Sequence, residues 1–195
     1  MKQFNKRSLL LALLCIVIAY CAQGSIAYFT SKDIQDTIFT IGEVDIKVIE
    51  PSWDSNIDHI IKPLASYDKD PIVVNIGSND AYVRMHVTIS DYDVFSKQGY
   101  NPMDMVSIDD SWVIQGSPKV KGNTITYTYA YTQILEVGNQ TKPLFNKVTI
   151  PGFVDNEIIS QMENEFDIDI QADAIQTQGF SNYQEAMVVL EQEKG

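Results

Sequence analysis

Two stretches of strict alternation between apolar and polar residues constrain this 195-residue chain more than any other feature. In the first, Val83, Met85, Val87 and Ile89 alternate with Tyr82, Arg84, His86 and Thr88. In the second, Phe166, Ile168, Ile170, Ala172 and Ala174 alternate with Asp167, Asp169, Gln171 and Asp173. Successive side chains of a strand point to opposite faces, so a period of two predicts one dry face and one wet face and does not fit a helix. Residues 123–132 predict a third long strand, with Ile125, Tyr127, Tyr129 and Tyr131 opposite Thr124, Thr126, Thr128 and Ala130. Shorter strands are expected at 72–76, 112–115, 134–137 and 147–150, separated by Gly, Asn, Asp and Pro. That many punctuated strands predict an all-β chain, an antiparallel, jelly-roll-like β-sandwich with a short C-terminal helix.

The helix is expected over 181–193. Ser181 with Gln184 reads as a capping box, and Ala186, Met187, Val189 and Leu190 follow at helical spacing. Residues 50–70 and 91–110 dilute the apolar pattern with proline, serine and aspartate, which predicts surface loops. No linker interrupts the pattern, so 28–195 is expected to form one domain. Near its start, Phe39 and Ile41 are odd-numbered, whereas Val44, Ile46 and Val48 are even-numbered. The buried phase therefore slips by one at Gly42, and a slip of one moves every side chain to the other face. Either glycine accommodates a bulge within one sheet, or Gly42 is the pivot from which an N-terminal arm departs.

Residues 1–27 carry the order of an export signal. Lys2, Lys6 and Arg7 precede an apolar run over 9–22, and Ser25-Ile26-Ala27 offers small residues for cleavage after Ala27, leaving Tyr28 first. The product is expected to be secreted, and to meet the membrane only through the uncleaved signal. A retained anchor is the alternative, since the apolar run approaches the roughly 20 residues that cross a bilayer. Lipidation at Cys21 would need a small residue before it, where Tyr20 stands. Both cysteines, Cys15 and Cys21, fall in the apolar run, so the cleaved chain has no thiol for disulfides, metal sites or nucleophilic catalysis. Its charge is strongly acidic: −12 for the whole chain, and −15 once the three cations of the signal are gone. Such a chain repels phosphate backbones and anionic lipid, so nucleic acid is not an expected partner.

Catalytic patterns are scarce. The histidines, His59 and His86, have no spacing that would seat a zinc ion on one helical turn, and both are expected to be solvated. Neither a glycine-rich phosphate loop nor a Gly-x-Ser-x-Gly elbow occurs. No cofactor is expected. The carboxylates Asp109 and Asp110, and Asp167, Asp169 and Asp173, could offer hard oxygen ligands to calcium, although an outward polar face explains them without an ion. Asn139-Gln140-Thr141 is a short sequon that carries no further argument.

Ala27-Tyr28-Phe29-Thr30-Ser31-Lys32-Asp33, followed by Ile38-Phe39-Thr40-Ile41-Gly42-Glu43-Val44-Asp45-Ile46, resembles the start of the TasA/camelysin family of secreted Gram-positive proteins. Residues 61–79 and 166–179 also resemble that family, so the likeness covers about half the cleaved chain, while 91–160 match only in general pattern. The resemblance implies a jelly-roll sandwich, release by a dedicated type of signal peptidase, and assembly into fibres of the biofilm matrix. It further implies that residues 28–41 form a strand donated to a neighbouring copy, with Tyr28, Phe29, Ile34, Ile38 and Phe39 as anchors and Gly42 as pivot. The partners would be other copies of the chain and a related matrix protein. Two other roles are compatible with the family: an accessory protein that anchors or nucleates the main fibre, and a metallopeptidase whose casein cleavage a chelator would abolish.

Overall fold

The computed structural model describes residues 30–33, 44–53, 61–162 and 166–192. The described residues are predominantly β, with antiparallel sheets and a short C-terminal helix. The strands are β1 (Thr30–Asp33), β2 (Ile46–Ile49), β3 (Ser66–Asp68), β4 (Ile72–Asn75), β5 (Ala81–Ile89), β6 (Trp112–Ile114), β7 (Lys119–Lys121), β8 (Thr124–Tyr131), β9 (Lys147–Thr149) and β10 (Ile168–Gln176). The helices are α1 (Tyr92–Lys97), α2 (Asn156–Ile159) and α3 (Tyr183–Gln192), with a 3₁₀ turn over Pro102–Met105.

The three sequences with the clearest alternation become the centre of the main sheet, whose order is β1-β10-β5-β8-β6, with β7 also paired to β8. Every pairing is antiparallel, and β10 matches β5 without a break from Ile168↔Ile89 to Gln176↔Ala81. This register sets Met85 between Ala172 and Tyr129, and Val87 between Ile170 and Tyr127, so the predicted dry rows share one face. Against that face pack Val44 and Ile46 from the β2 segment, Val73 of β4, and Val148 and Ile150 at β9, all in one buried cluster. The β2–β4 and β3–β9 ladders supply this second layer. Val83 and Met85 are fully buried there, and each such side chain contributes about 1.5–3 kcal/mol.

The other face of the main sheet departs from expectation. The row Tyr82, Arg84, His86 and Thr88 was predicted to be wet, yet Tyr82 is 5 % and Arg84 1 % exposed. Helix α3 lies over it, and Ala186, Met187 and Leu190 form a second buried cluster with Tyr82, Ala130 and Ile175. The helix is thus where the sequence predicts it, with its cap one residue later. Asn182 Oδ1 accepts from the Glu185 N–H, while the Glu185 carboxylate accepts from the Ser181 N–H. Asn182 and Glu185 thus take the places expected of Ser181 and Gln184.

The segments expected to be surface loops are more structured. Residues 50–70 contain β3, and 91–110 contain α1 and the 3₁₀ turn, which bury Val94, Phe95, Met103 and Met105. Phe95 sits with its ring centroid 5.7 Å from that of Phe166 and 6.2 Å from that of Phe153, so a few apolar residues suffice to draw this stretch into the core. Conversely, 134–137 does not form a strand. Leu135 makes a single bridge to Ala81, and the Val137 N–H is captured by Asp80 Oδ1 just before Gly138 turns at φ 75°.

A candidate assembly edge and the polar buttress behind it

The described part of the predicted donor arm is β1. Its backbone pairs with β10 of the same chain through Thr30↔Ile175, Ser31↔Ala174, Lys32↔Asp173 and Asp33↔Ala172. Four residue pairs hold this edge strand, against nine between β10 and β5. The cleavage residues Ser25, Ala27 and Tyr28, the anchors Phe29, Ile34, Ile38 and Phe39, and the pivot Gly42 lie outside the described residues, as does His59. Beyond Gly42 the even-numbered phase is as expected, with Val44 and Ile46 buried.

The strand that receives β1 is braced from behind by groups the sequence reading placed in solvent. Asp173 is 2 % exposed rather than outward, and its Oδ2 accepts from Arg84 Nε at 3.1 Å and from His86 Nε2 at 2.8 Å. His86 is therefore not a solvated histidine: its second nitrogen lies 2.9 Å from Thr128 Oγ1, which ties β10 to β8 across β5. Thr88 and Thr126 continue the row at 2.9 Å. Arg84 turns its remaining donors to α3, where Nη2 donates to the Leu190 carbonyl at 3.0 Å and Nη1 to Glu191 Oε2 at 3.2 Å. A guanidinium at a helix C-terminus meets carbonyls that have no partner inside the helix, so one buried side chain fastens β5, β10 and α3 together.

Lys119 completes the network by holding Glu191 Oε1. The hydrogen bond from Lys119 holds the Glu191 carboxyl below its usual range; burial opposes this, and the charges of Lys119 and Arg84 reinforce it. Across the sheet, burial pushes the Tyr127 phenol up to about 12, and its hydroxyl donates to Asn101 Oδ1 at 2.6 Å.

The carboxylates considered for calcium have other tasks. Asp173 is committed to Arg84 and His86. Asp109 Oδ1 accepts from the N–H and hydroxyl of Ser111, bending the chain into β6, and these bonds hold its carboxyl low. Asp110, Asp167 and Asp169 are exposed, and Asp169 accepts from Gln171. Among the described residues, no group of three or more His, Cys, Asp or Glu is placed to hold a metal ion, and no helix is long and apolar enough to cross a membrane.

The buttress was missed because each member, taken alone, is an ordinary polar residue on an alternating strand. One signal was present: the apolar stripe of α3 has to cover something, and the core face already has its second layer. Helix burial therefore implied that the nominally wet residues nearest it would need partners. No protein-family model, curated protein or solved structure matches the chain.

Proposed function

We propose that this chain is a secreted structural subunit of extracellular biofilm-matrix fibres, which assembles head to tail when the N-terminal strand of one copy takes the β1 place on β10 of the next. One observation carries the reading: the segment just after the expected cleavage point, Thr30–Asp33, pairs as the edge strand of the main sheet. An edge strand joined at four positions can leave and be replaced by the same strand from another copy, because the contacts made are the same in both arrangements. Donor and acceptor are different surfaces, so each addition leaves one of each free and the chain of subunits stays open. The braced β10 supports this role, since an acceptor must keep its shape while its edge is vacated. Two β-layers around one core are consistent with the jelly-roll architecture that the family resemblance implies.

While the signal is uncut the arm is tethered, so export and assembly are coupled. The high negative charge of the cleaved chain opposes close approach of copies, and assembly is expected to be favoured by acid, where carboxylates lose their charge. The test is negative-stain microscopy of residues 28–195 beside a form lacking 28–41. The full form gives fibres, more readily at acid pH, and the truncated form stays folded and monomeric. Fibres from the truncated form would refute the role of the arm.

A further inference from the structure

The opposite edge of the main sheet has a different chemistry. Strands β6 and β7 both pair with the outer side of β8, and among the described residues neither has a strand on its own outer side. Ile114 pairs with Tyr129 and Val120 with Ile125 on the core face, yet Ile114 and Val120 are 48 % and 55 % exposed while their partners are buried. The core's apolar row therefore runs on, half-covered, to the rim. On the reverse face stand Lys119 and Lys121, opposite Thr126 and Thr124. The Lys119 side chain stays 73 % exposed while touching Glu191, and Lys121 makes no ion pair among the described residues. Gly122, at φ 59° in the two-residue turn to β8, fixes this register.

We propose that the β6–β7 edge is a docking site for an extended segment of another protein in which aliphatic and acidic residues alternate. Strand addition satisfies the outward backbone groups, and alternate side chains supply the specificity. The aliphatic row of such a segment continues Ile114 and Val120, and its acidic row falls beside Lys119 and Lys121. Charge selects this occupant. Two-fold pairing with the same edge of a second copy would bring lysine rows together, which is unfavourable, and on a chain of net charge −12 this strand carries two cations, of which Glu191 offsets Lys119 while Lys121 has no ion pair among the described residues, so an acidic side chain is the favoured neighbour.

Lysines on an edge also discourage strand pairing, so the test separates recruitment from protection. The purified chain is titrated with short peptides of alternating valine and aspartate, or valine and lysine, and backbone amide resonances are followed. The aspartate peptide binds and perturbs the amides of 112–121. The exposed change Lys121→Glu, which leaves the Lys119–Glu191 contact in place, weakens it about fivefold, the scale of one lost and inverted charge pair, and shifts the preference towards the lysine peptide. The proposal is overturned if changing both lysines to serine tightens aspartate-peptide binding, or if the two peptides bind alike. It is also overturned if the perturbed amides lie at β1 and β10, or if lysine reversal instead abolishes self-association, which would make a second copy the occupant. None of these readings depends on the arm, so the fibre proposal and this one fail separately.

Discussion

Replacing Asp173 by alanine tests the buttress most sharply. In the folded chain the Arg84 guanidinium, 1 % exposed, has Asp173 as its buried counter-charge; its other carboxylate contact is Glu191, whose side chain is 56 % exposed. Asp173→Ala leaves that buried cation without its buried counter-charge, and breaking a buried pair from one side costs about 3–5 kcal/mol. For a chain of this size about 2–4 °C of melting temperature is lost per kcal/mol, so Tm falls by roughly 6–20 °C. The double variant Arg84→Met with Asp173→Val removes both charges and fills the space with apolar atoms, which is often close to neutral. It also strips His86 of its carboxylate and α3 of its clamp, so some loss remains. Urea unfolding followed by circular dichroism should show the double variant losing about 0.5–3 kcal/mol less than the sum of the singles, the range for residues in one network. An Asp173→Ala cost below about 1 kcal/mol, or strict additivity, would refute the claim that this pair braces β10.

Three further outcomes follow from the same geometry. Because the folded Glu191 carboxyl is held low, its contribution is present above the ordinary glutamate range and is lost as pH falls through the folded value; protection factors of the α3 amides, corrected for the pH dependence of intrinsic exchange, should fall on acidification, and Lys119→Ala should erase most of that dependence. Tyr127 shifts the other way, raised to about 12 by burial, so stability is intact below the ordinary phenol range and declines as pH climbs from about 10 towards 12; phenolate absorbance should rise together with loss of structure, and later in Tyr127→Phe. Leu64 holds a left-handed backbone at φ 61° with 75 % of its surface exposed, so burial offsets little of the strain. Leu64→Asn should stabilise the fold by about 0.5–1 kcal/mol in urea titrations, since asparagine tolerates that region better.

How far the fold could be read beforehand depended on whether a residue's burial is decided within its own strand. Val83, Met85, Val87 and Ile89 lie in a long run of period two, and they are buried as the pattern requires. Arg84 and Asp173 sit in the same runs, but whether they meet water depends on a helix about a hundred residues from Arg84 in the chain and on a register that neither strand states alone. The loops failed for the reverse reason: Phe95 and Met103 belong to no periodic pattern, yet isolated apolar residues bury themselves when a core lies within reach. At the candidate site, the sequence did not state which strand residues 30–33 would pair with. Strand partners are set by contacts far apart in the chain, here Thr30 with Ile175. The charge of the β6–β7 edge was equally open, because Lys119 and Lys121 acquire meaning only when Ile114 and Val120 are known to stand half-exposed on the opposite face.

The central claim is that the strand beside β10 comes from a neighbouring copy in the fibre, and a cysteine pair can report this directly. Ser31 and Ala174 are Cα partners in the folded chain, at a spacing that a disulfide can span between adjacent antiparallel strands. Copies carrying Ser31→Cys alone are mixed with copies carrying Ala174→Cys alone, allowed to assemble, oxidised and run on a non-reducing gel. The account predicts a mixed covalent dimer that accumulates with fibre formation and is missing from the monomer fraction. Fibres that form without that dimer, while a single copy carrying both cysteines closes the bond within itself, would contradict it.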